Sequence, residues 1–196
     1  MQDNEENRFM GKIPGKDSGI TDMQKKVFQL LVNNTSGVLS RITGLFSRRG
    51  YNIESITAGV TSDPEFSRIT IVTSGDDEIL EQIEKQLAKL EDVRSIKELK
   101  PDESVFRELV MIKVRAAAEQ RQGIIAVADI FRAKIVDVAP DSMMIELTGN
   151  LQKIDAFIGL LDGYDILEQA RTGIAGLGRG TEHITYIEDD GGNMGL

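Results

Sequence analysis

The chain has 196 residues, with 23 Lys and Arg against 32 Asp and Glu, one histidine and no cysteine. A formal charge of −9 gives counterion release no purchase and argues against a nucleic acid partner. The missing cysteines remove disulfides, thiolate nucleophiles, Fe–S clusters and Cys-based zinc sites together. Residues 1–25 are polar and turn-rich and are expected to form a flexible leader; they lack the hydrophobic centre of a signal peptide. No apolar stretch approaches the roughly 18 residues of a membrane span, so a soluble, cytoplasmic protein is expected.

From Val27 the run VFQLLVN alternates, and Phe28, Leu30 and Val32 read as one face of a strand. Val38, Ile42, Leu45 and Phe46 then recur at three- and four-residue spacing. They predict a helix that ends at Gly50, with Arg48 and Arg49 in its last turn. YNIESITAGV and SRITIVTS read as strands joined by the turn SDPE. A second helix opens at the acidic SGDDE and carries Ile79, Ile83, Leu87 and Leu90 on one face, and VRSIKEL closes the unit as a strand. The order βαββαβ predicts an α+β, ferredoxin-like unit, an antiparallel sheet with both helices on one side.

LKPDESV interrupts the pattern, and a linker is assigned to residues 101–106. The order then repeats. LVMIKV is a strand, Ile124, Val127, Ala128 and Phe131 mark a helix, KIVDV and SMMIEL are strands, Leu151, Ile154, Ile158 and Leu161 mark a helix, and DILEQA closes. An offset of about 71 residues matches Ile83 with Ile154, Leu87 with Ile158, Leu90 with Leu161 and Ile96 with Leu167, a weak internal repeat. Two ferredoxin-like units in tandem follow, over residues 26–100 and 107–176, with a glycine-rich, acidic flexible tail at 177–196.

No catalytic or metal site stands out. His183 is the sole histidine and lies in the tail, which leaves no His dyad, triad or His-based metal site. GDDE and IEDDGG read as helix-dipole complementation and a solvated run, and GLGRG lacks the spacing of a dinucleotide loop. Of the pair Met143 and Met144, Met143 is assigned to the core. NNTSGVLSRI remains, small polar groups crowded before the first helix. Two readings stand: Ser36 or Thr35 caps the helix, or Asn34, Gly37 and the free N–H groups of Val38, Leu39 and Ser40 cradle a carboxylate. Asn52, at the start of the next strand, can serve an ammonium or a carboxylate, as a zwitterion requires.

The runs NNTSGVLSRITGLFSRRGYNIESITAG, DPEFSRITIV, EQIEKQLAKLEDV, IFRAKIVDV and ARTGIAGLGRG resemble the regulatory small subunits of acetolactate synthase, also called acetohydroxyacid synthase, over about residues 25–180. The resemblance implies that the first unit is an ACT domain, an amino-acid-binding module that usually works in pairs. It implies a non-catalytic chain that forms a homodimer and activates a separate catalytic subunit carrying thiamine diphosphate, Mg²⁺ and FAD. Feedback inhibition by valine or a related branched-chain amino acid would pass through this chain. The family's effector site falls on Asn34, Gly37, Val38, Leu39, Ser40, Asn52 and Ile53; Ser36 stands where many ACT domains have proline. The second unit is implicated in engaging the catalytic subunit. Two other classes are weighed against it. One is an acylphosphatase-like hydrolase using Arg48, Arg49 and Asn52; the other is an amino-acid-sensing transcription factor, which lacks a helix-turn-helix segment here.

Overall fold

The computed structural model describes residues 24–181 and 184. They fall into two compact units, one of the residues up to Ser104 together with those from Leu177, the other of Val105–Gly176.

In the first unit β1 (Gln24–Asn33), α1 (Val38–Arg49), β2 (Asn52–Val60), β3 (Phe66–Gly75), α2 (Asp77–Leu87) and β4 (Val93–Glu98) follow in chain order. The sheet runs β2-β3-β1-β4 with antiparallel neighbours throughout, the ferredoxin-like path. Alternation along β1 and β3 sends Phe28, Leu30, Val32, Ile69 and Ile71 into one core with Val38, Ile42, Leu45 and Phe46 of α1 and Leu80, Ile83 and Leu87 of α2. Leu80 fills the centre of that helix face, while Ile79 and Leu90 are only half-buried at its margins. β1 begins at Gln24, so Gln24 and Lys25 belong to the sheet rather than to the leader, whose remainder lies outside the described residues.

The second unit has β5 (Ser104–Arg115), α3 (Arg121–Phe131), β6 (Lys134–Val138), β7 (Ser142–Gly149), α4 (Leu151–Leu161) and β8 (Ile166–Arg171), and its sheet runs β6-β7-β5-β8, the same path. Met143 is buried in its core beside Ile145, Ile154, Phe157 and Leu161. The assigned linker shortens to a turn over residues 101–103, because Ser104 already starts β5.

The caps of the second helix in each unit fix the offset of the repeat. Asp76 caps α2 by accepting from Ile79 N at 2.8 Å, and Asn150 caps α4 by accepting from Lys153 N at 2.9 Å. The buried triads Leu80, Ile83, Leu87 and Ile154, Phe157, Leu161 correspond in the same register, which puts the helices about 74 rather than 71 residues apart. A slide of three residues returns nearly the same helix face, so apolar spacing reads either register alike. Leu151 is accordingly exposed. In the closing strand Ile166 sits opposite Val114, beside the register shift, as Val93 sits opposite Val32, and Leu167 is exposed.

Two features lie outside the repeat. A short strand, β9 (Ala175–Gly178), pairs with β5, so the assigned tail begins as structure; His183 lies outside the described residues. On β1 and β3, the face turned away from the helices carries Gln29, Leu31, Thr70 and Val72, and all four are buried.

Candidate functional site

The loop from β1 to α1 forms because Gly37 takes the left-handed conformation, φ +88°, and starts the helix itself. Neither Ser36 nor Thr35 caps it: no side chain accepts from the first-turn N–H groups. The helix thus presents the positive end of its dipole without the side-chain acceptor that most helices supply. Arg41, one turn on, reaches back so that its Nη1 lies 3.1 Å from where a Gly37 Cβ would stand. Its Nε donates to Asp92. That hydrogen bond holds the Asp92 carboxyl below its ordinary range and raises the Arg41 guanidinium further. Sequence reasoning missed this pair, although Arg41 stands four residues after Gly37, the spacing of one helix face.

Each assigned residue takes a distinct position. Asn34 straps the loop to the β2–β3 turn: its N–H donates to Glu65 O at 2.7 Å, its Nδ2 to Pro64 O at 2.9 Å, and its Oδ1 accepts from Ser67 Oγ at 3.1 Å. One amide hydrogen and one carbonyl lone pair remain on it. Val38 is buried in the core, and its N–H is not free as expected but donates to Thr35 O at 3.5 Å, which closes the turn before the helix. Leu39, 47% exposed, and Ser40 point to solvent. Ile53 packs half-buried against the core. The exposed Asn52 anchors the start of β2 through its carbonyl, which accepts from Thr73 Oγ1 at 2.6 Å.

These residues do not converge within one chain. Asn52 pairs with Ser74 at one end of β3, whereas Asn34 sits by Ser67 at the other, a separation of about 24 Å at ~3.4 Å per strand residue. The twelve residues of α1 cover about 18 Å at ~1.5 Å each, most of that distance. What stands between the two ends is an edge: β2 is the outer strand of its sheet, with Ala58, Gly59 and Val60 exposed, Val60 to 60%. Arg48 and Arg49 are exposed at the Asn52 end, in the last turn of α1, where cations complement the helix carbonyls.

In the second unit, the ARTGIAGLGRG run performs a structural task. Arg171 of β8 grips the buried Glu108 of β5 through Nε at 2.9 Å and Nη2 at 2.7 Å, and Gly173, at φ +81°, donates its N–H to the same carboxylate at 3.2 Å. In IFRAKIVDV, Arg132 closes α3 in the left-handed conformation, and Ile130, Val136 and Val138 are exposed. Among the described residues no three His, Cys, Asp or Glu side chains cluster as metal ligands, and no helix is long and apolar enough to cross a membrane.

Comparison with known proteins agrees along both units. Residues 28–95 match the model of the acetohydroxyacid synthase small subunit-like ACT domain, and residues 107–180 that of the small subunit of acetolactate synthase. The chain is 49% identical to a probable acetolactate synthase small subunit of Methanothermobacter thermautotrophicus, over 79% of this chain and 93% of that one. It is 46% identical to the small subunit of acetolactate synthase isozyme 3 of Escherichia coli, over 80% and 96%. The crystal structure of an acetolactate synthase small subunit from Thermotoga maritima superposes with a TM-score of 0.75 at 42% identity, covering 81% of this chain and 99% of that one.

Proposed function

The chain belongs to the acetolactate synthase small-subunit family, and from that premise we propose that it activates a separate catalytic subunit and makes it sensitive to valine or a related branched-chain amino acid. In this reading thiamine diphosphate, Mg²⁺ and FAD belong to the catalytic subunit, and this chain contributes regulation. The carrying observation is the division of the assigned site. The uncapped start of α1 with Gly37 lies at one end of the unit, and Asn52 at the other, along an exposed edge strand. A two-fold pairing of β2 edges would run the strands antiparallel. Asn52 and Ile53 of one copy would then meet Asn34 and Gly37–Ser40 of the next. The first-turn N–H groups suit the effector carboxylate, the amide oxygen of Asn52 suits its ammonium, and Leu39 with Ile53 suits its aliphatic side chain.

An effector bound between two copies reads their arrangement. Linkage then transmits it to the catalytic subunit with a coupling of typically ~1–3 kcal/mol. An apolar wall of this kind separates valine from leucine or isoleucine by only about 1–3 kcal/mol per methylene. For the second unit, Ile130, Val136 and Val138 of the IFRAKIVDV run support a surface that engages the catalytic subunit. The test is acetolactate formation from pyruvate by the cognate catalytic subunit, alone, with this chain, and with valine added. The expected result is a rate increase that valine reverses. A folded sample that neither raises the rate nor associates with the catalytic subunit overturns the reading.

A further inference from the structure

The sheet face turned away from α1 and α2 carries a cavity of about 210 Å³ within the first unit. Its floor is Gln29 of β1, Arg68 of β3 and Lys97 of β4; Leu177, Gly178 and Gly180 stand over it, with Thr181 and Ile184. Strand register explains the floor, since Gln29 pairs with Lys97 on one side and with Thr70 on the other, and Arg68 pairs with the neighbouring Leu31, so these side chains share one face. Gln29, Lys97 and Thr181 have other contacts. Arg68 differs: its Nε is fully buried and has no hydrogen-bond partner among the described residues.

A guanidinium cannot shed its charge to escape burial, and a buried donor left without an acceptor costs about 1–3 kcal/mol, more when charged. Native proteins seldom carry such a group without a water, an ion or a ligand to meet it. The lining described here has two cations and no carboxylate, so an electronegative partner from outside the lining fits. The volume lies below the roughly 300–1,000 Å³ of sites for larger ligands. Gly178 and Gly180 leave backbone exposed to the space, and nothing stands within 4 Å of where a Gly180 Cβ would be. We propose that this cavity binds a small oxyanion, a carboxylate or inorganic phosphate, that accepts from Arg68 Nε and lies beside Lys97. The site is separate from the start of α1, on the opposite face of the sheet, and does not rest on the effector reading. Because one wall is residues 177–181 and the other is the sheet, a bound anion holds the two together.

The test titrates the full chain with inorganic phosphate and, separately, with acetate at constant ionic strength, followed by calorimetry and by the thermal midpoint. Saturable binding of either supports the site, and whichever binds tells phosphate from carboxylate. Arg68→Met is expected to weaken that binding at least tenfold and, without anion, to leave the thermal midpoint unchanged or higher, because it removes an unpartnered buried donor. A merely structural arginine would lower the midpoint. Lys97→Met serves as a second weakened variant should Arg68→Met fail to fold. Amide exchange at Gly178 and Gly180 should slow with anion. No saturable effect of either anion, or binding as tight as the parent's in both the Arg68 and Lys97 variants, overturns the proposal.

Discussion

Gly37→Asp separates stability from sensing, because its effects on the two have opposite signs. Gly37 sits at φ +88°, a conformation that costs a residue with a Cβ about 1–2 kcal/mol. An aspartate at that helix start recovers much of this, about 0.5–2 kcal/mol as a cap and ~0.3–1 kcal/mol from the helix dipole. The new Cβ meets only the mobile end of Arg41, at 3.1 Å. The fold should therefore survive with its midpoint nearly unchanged. For the effector the same carboxylate is a like charge in the cradle, worth about 4 kcal/mol at ~4 Å and an effective dielectric of ~20. If Arg41 swings to it and halves the repulsion, about 2 kcal/mol remains, so inhibition by valine should weaken roughly 30- to 1,000-fold. Gly37→Ala bears the backbone cost without a charge or a cap. It should melt several degrees lower, at ~4–8 °C per kcal/mol for a unit of this size, yet keep valine sensitivity within about tenfold. The assay is acetolactate formation with the catalytic subunit across a valine titration, beside thermal melts of both variants. If sensitivity tracks the melting order, with the alanine variant the more resistant, the cradle argument fails.

Other consequences are as direct. Mixed dimers of Gly37→Asp and Asn52→Ala chains should regain partial valine inhibition that neither variant shows alone, since one of their two sites would draw both halves from intact residues; no recovery would point to a site within one chain. Ser36→Ala should leave the melting temperature unchanged, whereas Asp76→Ala should cost about 0.5–2 kcal/mol, because only Asp76 accepts from its helix. In α4, Ile154→Ala should cost about 2–5 kcal/mol and Leu151→Ser less than ~0.5 kcal/mol, given that Ile154 is wholly buried and Leu151 is 40% exposed; equal losses would restore the 71-residue register. Arg41→Met removes the hydrogen bond that lowers Asp92. That contribution is present above the unfolded carboxylate value near ~3.9 and is lost as pH falls through the lower folded value. Melts of parent and variant should therefore differ at neutral pH and converge in acid; convergence in alkali instead would refute the pairing.

Strand and helix order was legible because periods of two and of about three and a half are imposed by burial on one side, as Phe28, Leu30 and Val32 or Ile42, Leu45 and Phe46 show. The same periodicity hid the helix register, where Leu80 and Phe157 do the packing, and only the caps Asp76 and Asn150 fix it. Alternation also misleads on a sheet covered on both faces: Gln29 and Thr70 read as solvent positions yet are buried. β9 escaped notice because AGLG is poor in strand-forming residues. The site residues were legible as chemistry but not as geometry. Nothing in a one-dimensional pattern says that Gly37 and Asn52 lie at opposite ends of a helix, or that Asn34 spends both ends of its side-chain amide on Pro64 of the β2–β3 turn and Ser67 of β3.

The first unit is discontinuous in the chain, resuming at Leu177 only after the whole of the second has been traversed. During synthesis its central strand waits for Glu98 before Phe28 gains its second neighbour, and the wall over Gln29, Arg68 and Lys97 is made later still. A ribosome that has released residues up to Gly176 has thus delivered every strand of both sheets except β9, but not the wall over the first. Expressing residues up to Ser104 alone would produce the same unfinished surface permanently, with Arg68 opened to water.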